Sequence, residues 1–308
     1  MSAAGVQVRI VEYGEAATAL HAVRDAVFLH EQRVPAELER DGLDPLCRHA
    51  LACDGDGRPV GSARLAPPRA DNGAPAAKLG RMAVLAALRG RGIGDALLRA
   101  LLDEARRLGW RRLRLHAQAP AVGFYARHGF LPSGTRFLEA GIEHQAMQLT
   151  LDAPNPVETR EAALAAWLAV IAGARRELLV YSRELDPGQL DQPEVLRALR
   201  RFATGGGRAR IAVQDPAAPQ AALAPLIGLA QRLPSAFEFH AVEDPTDRAY
   251  PSAFAANDRG GWLFRPLGHR FEGETRLGDT VRVRQLRQTF DPVWERARPC
   301  TEFRALGL

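Results

Sequence analysis

Lysine is nearly absent from this chain. Lys78 is the single lysine among the 41 strong bases, and all the others are arginine. No mechanism that needs a second lysine is therefore available. Cysteine is also scarce. Cys47, Cys53 and Cys300 form no C-x-x-C pair and no Cys/His cluster, which argues against a structural zinc site or a disulfide framework. No apolar run is long enough to span a bilayer. The opening stretch, MSAAGVQVRIVEYGE, has no basic segment followed by an apolar core, so no secretory signal is expected and the cytoplasm is the expected compartment. A strong excess of one charge is missing too. The net charge is +5, and bases outnumber acids by 20 to 17 up to Asp152 and by 21 to 19 after it. So mild and even an excess does not mark either half as nucleic-acid-binding.

The chain does have the bulk of a globular protein: 308 residues, 46% apolar and 25% charged. That length exceeds what one core usually organises, so two domains are expected. The boundary falls at Asp152-Ala153-Pro154-Asn155-Pro156, where two close prolines disfavour a helix or central strand and read as a linker. The expected domains are 1–152 and 157–308. Before the linker, Val6 to Ile10 alternates as a strand and Glu15 to Val27 has a helical apolar face. His49–Cys53 and Pro59–Leu65 pair across the Asp54-Gly55-Asp56-Gly57 turn. Lys78–Val84 is a strand, Gly94–Leu108 a helix ended by Gly109, and Leu113–Ala117 a strand. Ala121–His128 is a short helix and Glu143–Leu149 a last strand. After the linker, helices at Glu158–Ala174, Glu194–Phe202, Gln220–Arg232 and Thr280–Arg296 alternate with strands at Glu177–Ser182, Ala209–Gln214 and Phe237–Val242. Shorter strands follow near Ala253–Ala256 and Trp262–Phe264. Such alternation implies a largely parallel sheet covered by helices.

One segment carries chemistry. Lys78–Val84 leads through Ala87–Gly94 into a long helix. Gly90, Gly92 and Gly94 let backbone N–H groups approach a polyanion without side chains intervening. The helix that follows offers unpaired N–H groups and the positive end of its dipole. Arg89 and Arg91 add donors for phosphate oxygens. The spacing is neither the dinucleotide G-x-G-x-x-G with its acidic ribose ligand nor a Walker A loop. A tight turn with surface arginines would look the same in isolation.

The surroundings add to it. Arg89, Gly92 and Gly94 fit the Arg/Gln-x-x-Gly-x-Gly/Ala signature, Gly80-Arg81-Met82-Ala83-Val84 fits the strand before it, and Gly123-Phe124-Tyr125-Ala126-Arg127-His128-Gly129-Phe130 fits F-Y-x-x-x-G-F. With three signatures in this order, the first half resembles the GNAT N-acetyltransferase superfamily. Phe28, Glu31, Gln32, Asp41, Asp44, His49, Arg64-Leu65, Ala117-Gln118 and Gly141-Ile142-Glu143-His144 make it most similar to the ElaA-like members. The resemblance implies an α/β fold with a mixed, centrally splayed sheet and acetyl-CoA as cosubstrate, with no metal. It implies direct attack by an amine on a thioester. Pantetheine would insert as a pseudo-strand between Lys78–Val84 and Leu113–Ala117, held by the backbone of Met82, Ala83 and Val84. Arg89, Gly90, Arg91, Gly92, Ile93 and Gly94 would cradle the phosphates. Tyr125 becomes the candidate acid toward the sulfur, with Phe124 and Phe130 as core or pocket wall. Glu31 is the first candidate for the base, with His49 and His144 the others, unless a water chain takes that role. Glu31, His49, Gln118 and His144 are candidate acceptor-binding residues. The acidic run Glu37, Glu39, Asp41, Asp44 hints at a cationic acceptor, although a solvated charged loop is the better explanation. The acceptor would be a small-molecule or peptide amine. No membrane or nucleic-acid partner is expected, and a homodimer is compatible with the sequence.

The order of elements after the linker resembles half of a phospholipase D-like fold. That family's His-x-Lys-x-x-x-x-Asp would fall at Tyr250–Asp258, where histidine and lysine are missing, so this half is expected to be catalytically degenerate and to serve binding or oligomerisation. Arg208, Arg210, Arg265 and Arg270 could hold an anion or lie solvated. His240 and His269 are isolated and suggest no metal set. The alternative is a regulatory protein in which the first half only senses acyl-CoA and the second recognises a nucleic acid or phospholipid.

Overall fold

A computed structural model of the chain describes residues 5–70, 74–217, 224–300 and 303. In chain order the regular elements are β1 (Gln7–Val11), α1 (Tyr13–Arg24), α2 (Ala36–Glu39), β2 (Arg48–Cys53), β3 (Pro59–Arg69), β4 (Ala76–Val84), α3 (Ile93–Arg107) and β5 (Arg112–Gln118). Then come α4 (Val122–Ala126), β6 (Leu131–Pro132), β7 (Phe137–Glu139), β8 (Ile142–Thr150), β9 (Asn155–Val157), α5 (Arg160–Gly173), β10 (Glu177–Ser182), α6 (Pro193–Thr204) and β11 (Arg208–Val213). The chain closes with α7 (Ala224–Arg232), β12 (Phe237–Ala241), α8 (Pro245–Arg248), β13 (Ala253–Asn257), β14 (Trp262–Arg265), β15 (Gly273–Arg276), α9 (Thr280–Arg296) and β16 (Arg298–Pro299). The first part of the helix expected over Gln220–Arg232 lies outside the described residues.

The chain divides into two compact units. The first is Met1–Gln118 with Thr135–Leu151; the second is Ala119–Gly134 with Asp152–Leu308. The F-Y-x-x-x-G-F segment thus packs with the second unit, where α4 and β6 lie against α5.

In the first unit the strands run in the order β1-β2-β3-β4-β5-β8, with β7 on β8. Every pairing is antiparallel except β4 with β5. The parallel pair is short: Ala77 faces Leu113 and Lys78 faces Arg114, and no further pairs form. Beyond that point the two strands part, while β5 stays paired to β8 as far as Gln118 opposite His144. On its other edge β4 carries a bulge. Ser62 and Arg64 of β3 face Ala83 and Gly80, so β4 has one residue more than its partner, and Arg81 takes a left-handed φ of 50° there. A bulge bends a strand and re-aims its backbone groups. Helix α3 packs across β3 at Gly61, where a Cβ would lie 3.0 Å from Leu97 Cδ1 and 3.1 Å from Ile93 Cγ2. Ile93, Leu97, Leu98 and Leu101 are its buried stripe. Glycine at 61 therefore lets the start of α3 sit close to the sheet.

In the second unit the strand order is β16-β12-β11-β10-β13-β14-β15-β9. The expectation of a largely parallel sheet fails here: only β10/β11 and β11/β12 are parallel, and the pairings at β13, β14, β15, β9 and β16 are antiparallel. Helical crossovers join β10, β11 and β12, but β13 to β15 return by hairpins, and hairpins make antiparallel neighbours. The linker expected at 152–156 also ends in structure, since Asn155–Val157 is an edge strand on β15. Edge strands tolerate proline because half their N–H groups need no partner in the sheet. Helix α5 is buried almost all round, from Ala162 to Ile171, as its nearly uninterrupted apolar sequence demands. Thr159 caps it by accepting from the Ala162 N–H at 3.1 Å. One core cluster joins Leu179, Tyr181, Phe254 and Trp262 to Leu286 and Phe290 of α9.

Candidate active site

The site is built on the gap between β4 and β5. Backbone N–H and C=O groups along a parted strand edge need partners, and an extended ligand can supply them as an added strand would. Met82 and Val84 are half-buried on this stretch of β4, whereas the Ala83 side chain is buried on the opposite side against Val23 and Val27. That alternation is the two-residue period of a strand.

The turn after β4 has the conformation its glycines suggest. Gly90 has φ 75° and Gly92 has φ 83°, and a Cβ at either would meet nothing within 4 Å. Glycine is therefore required by backbone conformation there, and the space beside both stays open. Gly92 is the cap residue of α3, so the first N–H groups of a 15-residue helix follow it directly. Arg89 to Gly92 are exposed, while Ile93 is buried and anchors the helix start.

Across the gap lies a feature the sequence did not show. Helix α1 does not stop near Val27 but widens into a π-helical turn over Asp25–Glu31, closed by Gln32 N–H donating to Val27 C=O at 3.0 Å. Such wide turns occur mostly as single turns inside α-helices, frequently at functional sites. This one places two adjacent side chains on the two sides of the gap. Glu31 accepts from both terminal nitrogens of Arg89, at 2.7 and 2.6 Å, just after β4. Gln32 Oε1 accepts from Gln118 Nε2 at 3.0 Å, at the end of β5. Arg89 Nε also donates to the Val84 carbonyl at 3.0 Å.

The Arg89 hydrogen bonds hold the Glu31 carboxyl below its usual range, and the Arg89 guanidinium is correspondingly raised. A carboxylate lowered in this way is a weaker base. In this structure Glu31 clamps the loop arginine, and it would have to release Arg89 to act as the expected base.

The acidic run also changes meaning. Arg24 donates to Glu39 and, at 2.9 Å, to Asp44. Arg64 bridges Asp44 at 2.7 Å and Asp41 at 2.7 and 2.6 Å. Arg81, from the β4 bulge, donates to the carbonyls of Leu38 at 2.7 Å and Glu39 at 2.9 Å, and to Asp41 at 3.2 Å. Arg24, Glu39, Asp44 and Arg64 are all buried. Asp41 is held far below its usual range, by Arg64 above all. Burial alone would raise Asp44, but hydrogen bonds from Arg24 and Arg64 more than offset it and the net shift is downward. Glu39, Asp41 and Asp44 thus neither sit solvated nor wait for a cation; three arginines of α1, β3 and β4 neutralise them.

His49 belongs with this cluster. It is 1% exposed, its Nε2 lies 2.9 Å from the Asp44 carbonyl, and burial lowers its pKa. The expectation of His49 as base or acceptor ligand is therefore corrected, because no face of the ring reaches solvent. His144 is nearly buried, with Nδ1 2.8 Å from the Ile142 carbonyl and the ring stacked on Phe137. Gln118 is half-buried at the end of β5.

Tyr125 lies in α4 and is described within the second unit. Its ring meets Phe124 and Phe130 edge-on, and burial pushes its hydroxyl well above the usual phenol range. Among the described residues, no group of three or more His, Cys, Asp or Glu side chains could hold a metal, and no helix is long and apolar enough to cross a membrane.

At Tyr250–Asp258 the structure shows local packing rather than a reaction centre. Ser252 Oγ donates to the Pro266 carbonyl at 3.1 Å, and Asn257 is buried, bonding the Val170 carbonyl and the Gly261 N–H. Asp258 accepts from the N–H groups of Arg175 and Arg176.

The geometry of the first unit is that of a site for an extended ligand with an anionic end. Comparison with known proteins gives that class its chemistry. The profile of the GNAT acetyltransferase domain matches residues 11–151, and one described as a domain of unknown function (DUF7931) matches residues 159–306. The uncharacterized N-acetyltransferase YjcF of Bacillus subtilis is 40% identical over 126 residues, which cover 41% of this chain and 86% of that protein. Among solved structures, an acyl-CoA N-acyltransferase from Pseudomonas aeruginosa shares 30% identity over 47% of this chain and 99% of its own, with a TM-score of 0.43. Escherichia coli ElaA shares 28% identity over 47% of this chain and 99% of its own, with a TM-score of 0.42. The chain belongs to the GNAT acetyltransferase family through its first half, and it is an acyltransferase. The phospholipase D-like resemblance of the second half finds no support in these comparisons.

Proposed function

We propose that the protein transfers an acetyl group from acetyl-CoA to an amine by direct attack, with the pantetheine lying in the gap between β4 and β5. The observation that carries this reading is the parting of those strands after Lys78 and Arg114, beside a glycine turn with open space at Gly90 and Gly92. An acyl-CoA brings to that gap an activated thioester and a phosphate-bearing tail. Met82 and Val84 present backbone groups to the amides of the arm. The N–H groups from Gly92 to Gly94 and the guanidinium of Arg91 bind the phosphates, helped by the dipole of α3.

Glu31 and Gln32 act together. By holding Arg89 and Gln118, they tie the two lips of the gap to one turn of π-helix. Tyr125 protonates the departing sulfur. Its raised pKa keeps the phenol protonated at any working pH. A desolvated thiolate is itself a stronger base, which narrows the mismatch between donor and acceptor. With Glu31 and His49 both engaged, the amine's proton leaves through water rather than to a dedicated carboxylate. Glu39, Asp41 and Asp44 are already neutralised and do not select a cationic acceptor; a neutral amine of a small molecule or peptide is the fitting class.

The test is thiol release from acetyl-CoA against a panel of aliphatic, aromatic and peptide amines, using the full chain. Release above the hydrolytic background with at least one class is expected. No release with any class, from protein that also fails to bind acetyl-CoA in the millimolar range, would overturn the reading.

A further inference from the structure

We infer that the cleft between α6 and α7 binds the phosphodiester backbone of a single nucleic-acid strand. The near balance of acids and bases in the second half is an average over faces. Two of its four candidate arginines are already paired, Arg210 with Glu177 and Asp291, and Arg265 with Asp186. Unpaired charge gathers on other residues. Arg197, Arg200 and Arg201 of α6 and Arg232 of α7 line one cleft of about 500 Å³ together with Pro193, Leu196, Pro225, Gly228 and Leu229. All four arginines are exposed. Among the described residues, no carboxylate lines this cleft and none of these arginines makes an ion pair. Positions 197, 200 and 201 share one helix face by their three- and four-residue spacing. An adjoining cleft of about 390 Å³ shares Arg201 and adds Arg127. The basic lining therefore continues across α6 rather than ending at one point.

The arrangement identifies the ligand. A single small phosphate is gripped by convergent, buried donors, whereas these guanidiniums are exposed and spread along two helices. That pattern tracks a chain of regularly spaced charges. Arginine's planar fork suits phosphate oxygens better than a point charge does. A membrane surface fits less well. Among the described residues, the exposed large apolar side chains Leu38, Leu46, Leu138, Leu267 and Val281 all lie off α6 and α7, so none of them would insert between lipids beside the cleft. Among the described residues no aromatic side chain lines the α6–α7 cleft, so binding rests on phosphate contacts, which carry no sequence information.

The experiment uses the full chain and a fluorescein-labelled single-stranded DNA of mixed sequence, read by anisotropy across a salt series. Four phosphate contacts predict a slope of log affinity against log salt of about −2.8, a loss of about 50-fold between 50 and 200 mM salt. The variant Arg197→Gln/Arg200→Gln/Arg232→Gln should flatten the slope to about −0.7, a loss of about threefold over the same range. The matching triple lysine variant should keep the original slope. If the glutamine variant fails to fold, each single glutamine substitution should still remove about 0.7 from the slope. Three results would overturn the inference: no binding at 50 mM salt, a slope unchanged by the substitutions, or arginine-dependent sedimentation with phosphatidylserine vesicles by a protein that ignores the oligonucleotide.

Discussion

Replacing Arg24 by methionine tests whether the acidic loop is structural. Arg24 is 1% exposed and joins Glu39 to Asp44. Methionine keeps much of the apolar stem and removes the charge. Glu39 is then left with Arg81 Nε at 3.7 Å and Arg40 Nε at 3.9 Å. Its Oε2 already has no hydrogen-bond partner among the described residues. Stranding a buried charge in this way costs about 3–5 kcal/mol. At about 2–4 °C per kcal/mol, the transition of the first unit should fall by roughly 6–20 °C. The companion change, Arg64→Met, should cost less. Asp44 would keep Arg24 at 2.9 Å and Asp41 would keep Arg81 at 3.2 Å, so the loss lies near or below about 3 kcal/mol. Differential scanning calorimetry on both variants, with KM measured for whichever amine is active, separates stability from binding. A neutral Arg24→Met, or a larger effect at Arg64, would refute the reasoning. So would an intact melting profile accompanied by a raised KM, which would return the loop to the acceptor.

Gly92→Ala should cost about 1–2 kcal/mol of stability, from its φ of 83° alone since no protein atom meets the new Cβ, and should weaken CoA binding by more than tenfold in calorimetry because that Cβ enters the phosphate space. Tyr125→Phe should retain CoA affinity and lose turnover by about 100-fold or more; unchanged turnover would remove Tyr125 as the acid. Glu31→Gln should loosen the tie between π-helix and loop, raising KM for acetyl-CoA more than it lowers kcat, whereas a general base would show the reverse. Acid should destabilise the first unit. Asp41 and Asp44 are depressed in the folded state, so their contribution is complete above the ordinary aspartate pKa of about 4 and is lost as pH falls below it. Melting curves between pH 3 and pH 7 should show that drop, and Asp41→Asn should shrink it.

What could be read from the residues alone was local. Arg89 to Gly94 was legible because a left-handed backbone and close approach to phosphate both require glycine, and the strand and helix on either side have unambiguous periods. The strand Glu177–Ser182 and the helix Thr280–Arg296 appear with the bounds their apolar patterns suggest. The illegible parts involve partners distant in sequence or a departure from regular period. Glu31 meets Arg89 across 58 residues, and Arg24, Arg64 and Arg81 reach the acidic run from three different elements. A helical period of 3.6 does not anticipate the wide turn at Asp25–Glu31, so the helix was expected to stop at Val27. In the second unit, strand and helix alternate up to β12 and then give way to hairpins, which an argument from alternation cannot detect. The basic cleft was hidden for a related reason: a charge count carries no information about which face the charges share.

The most direct test of the central claim is a crystal structure of the full chain with CoA bound. The account predicts the pantetheine arm extended between β4 and β5, its amides bonded to the backbone near Met82 and Val84, and its diphosphate on the N–H groups that follow Gly92. An arm lying outside that gap, or a gap filled by side chains in the complex, would contradict it.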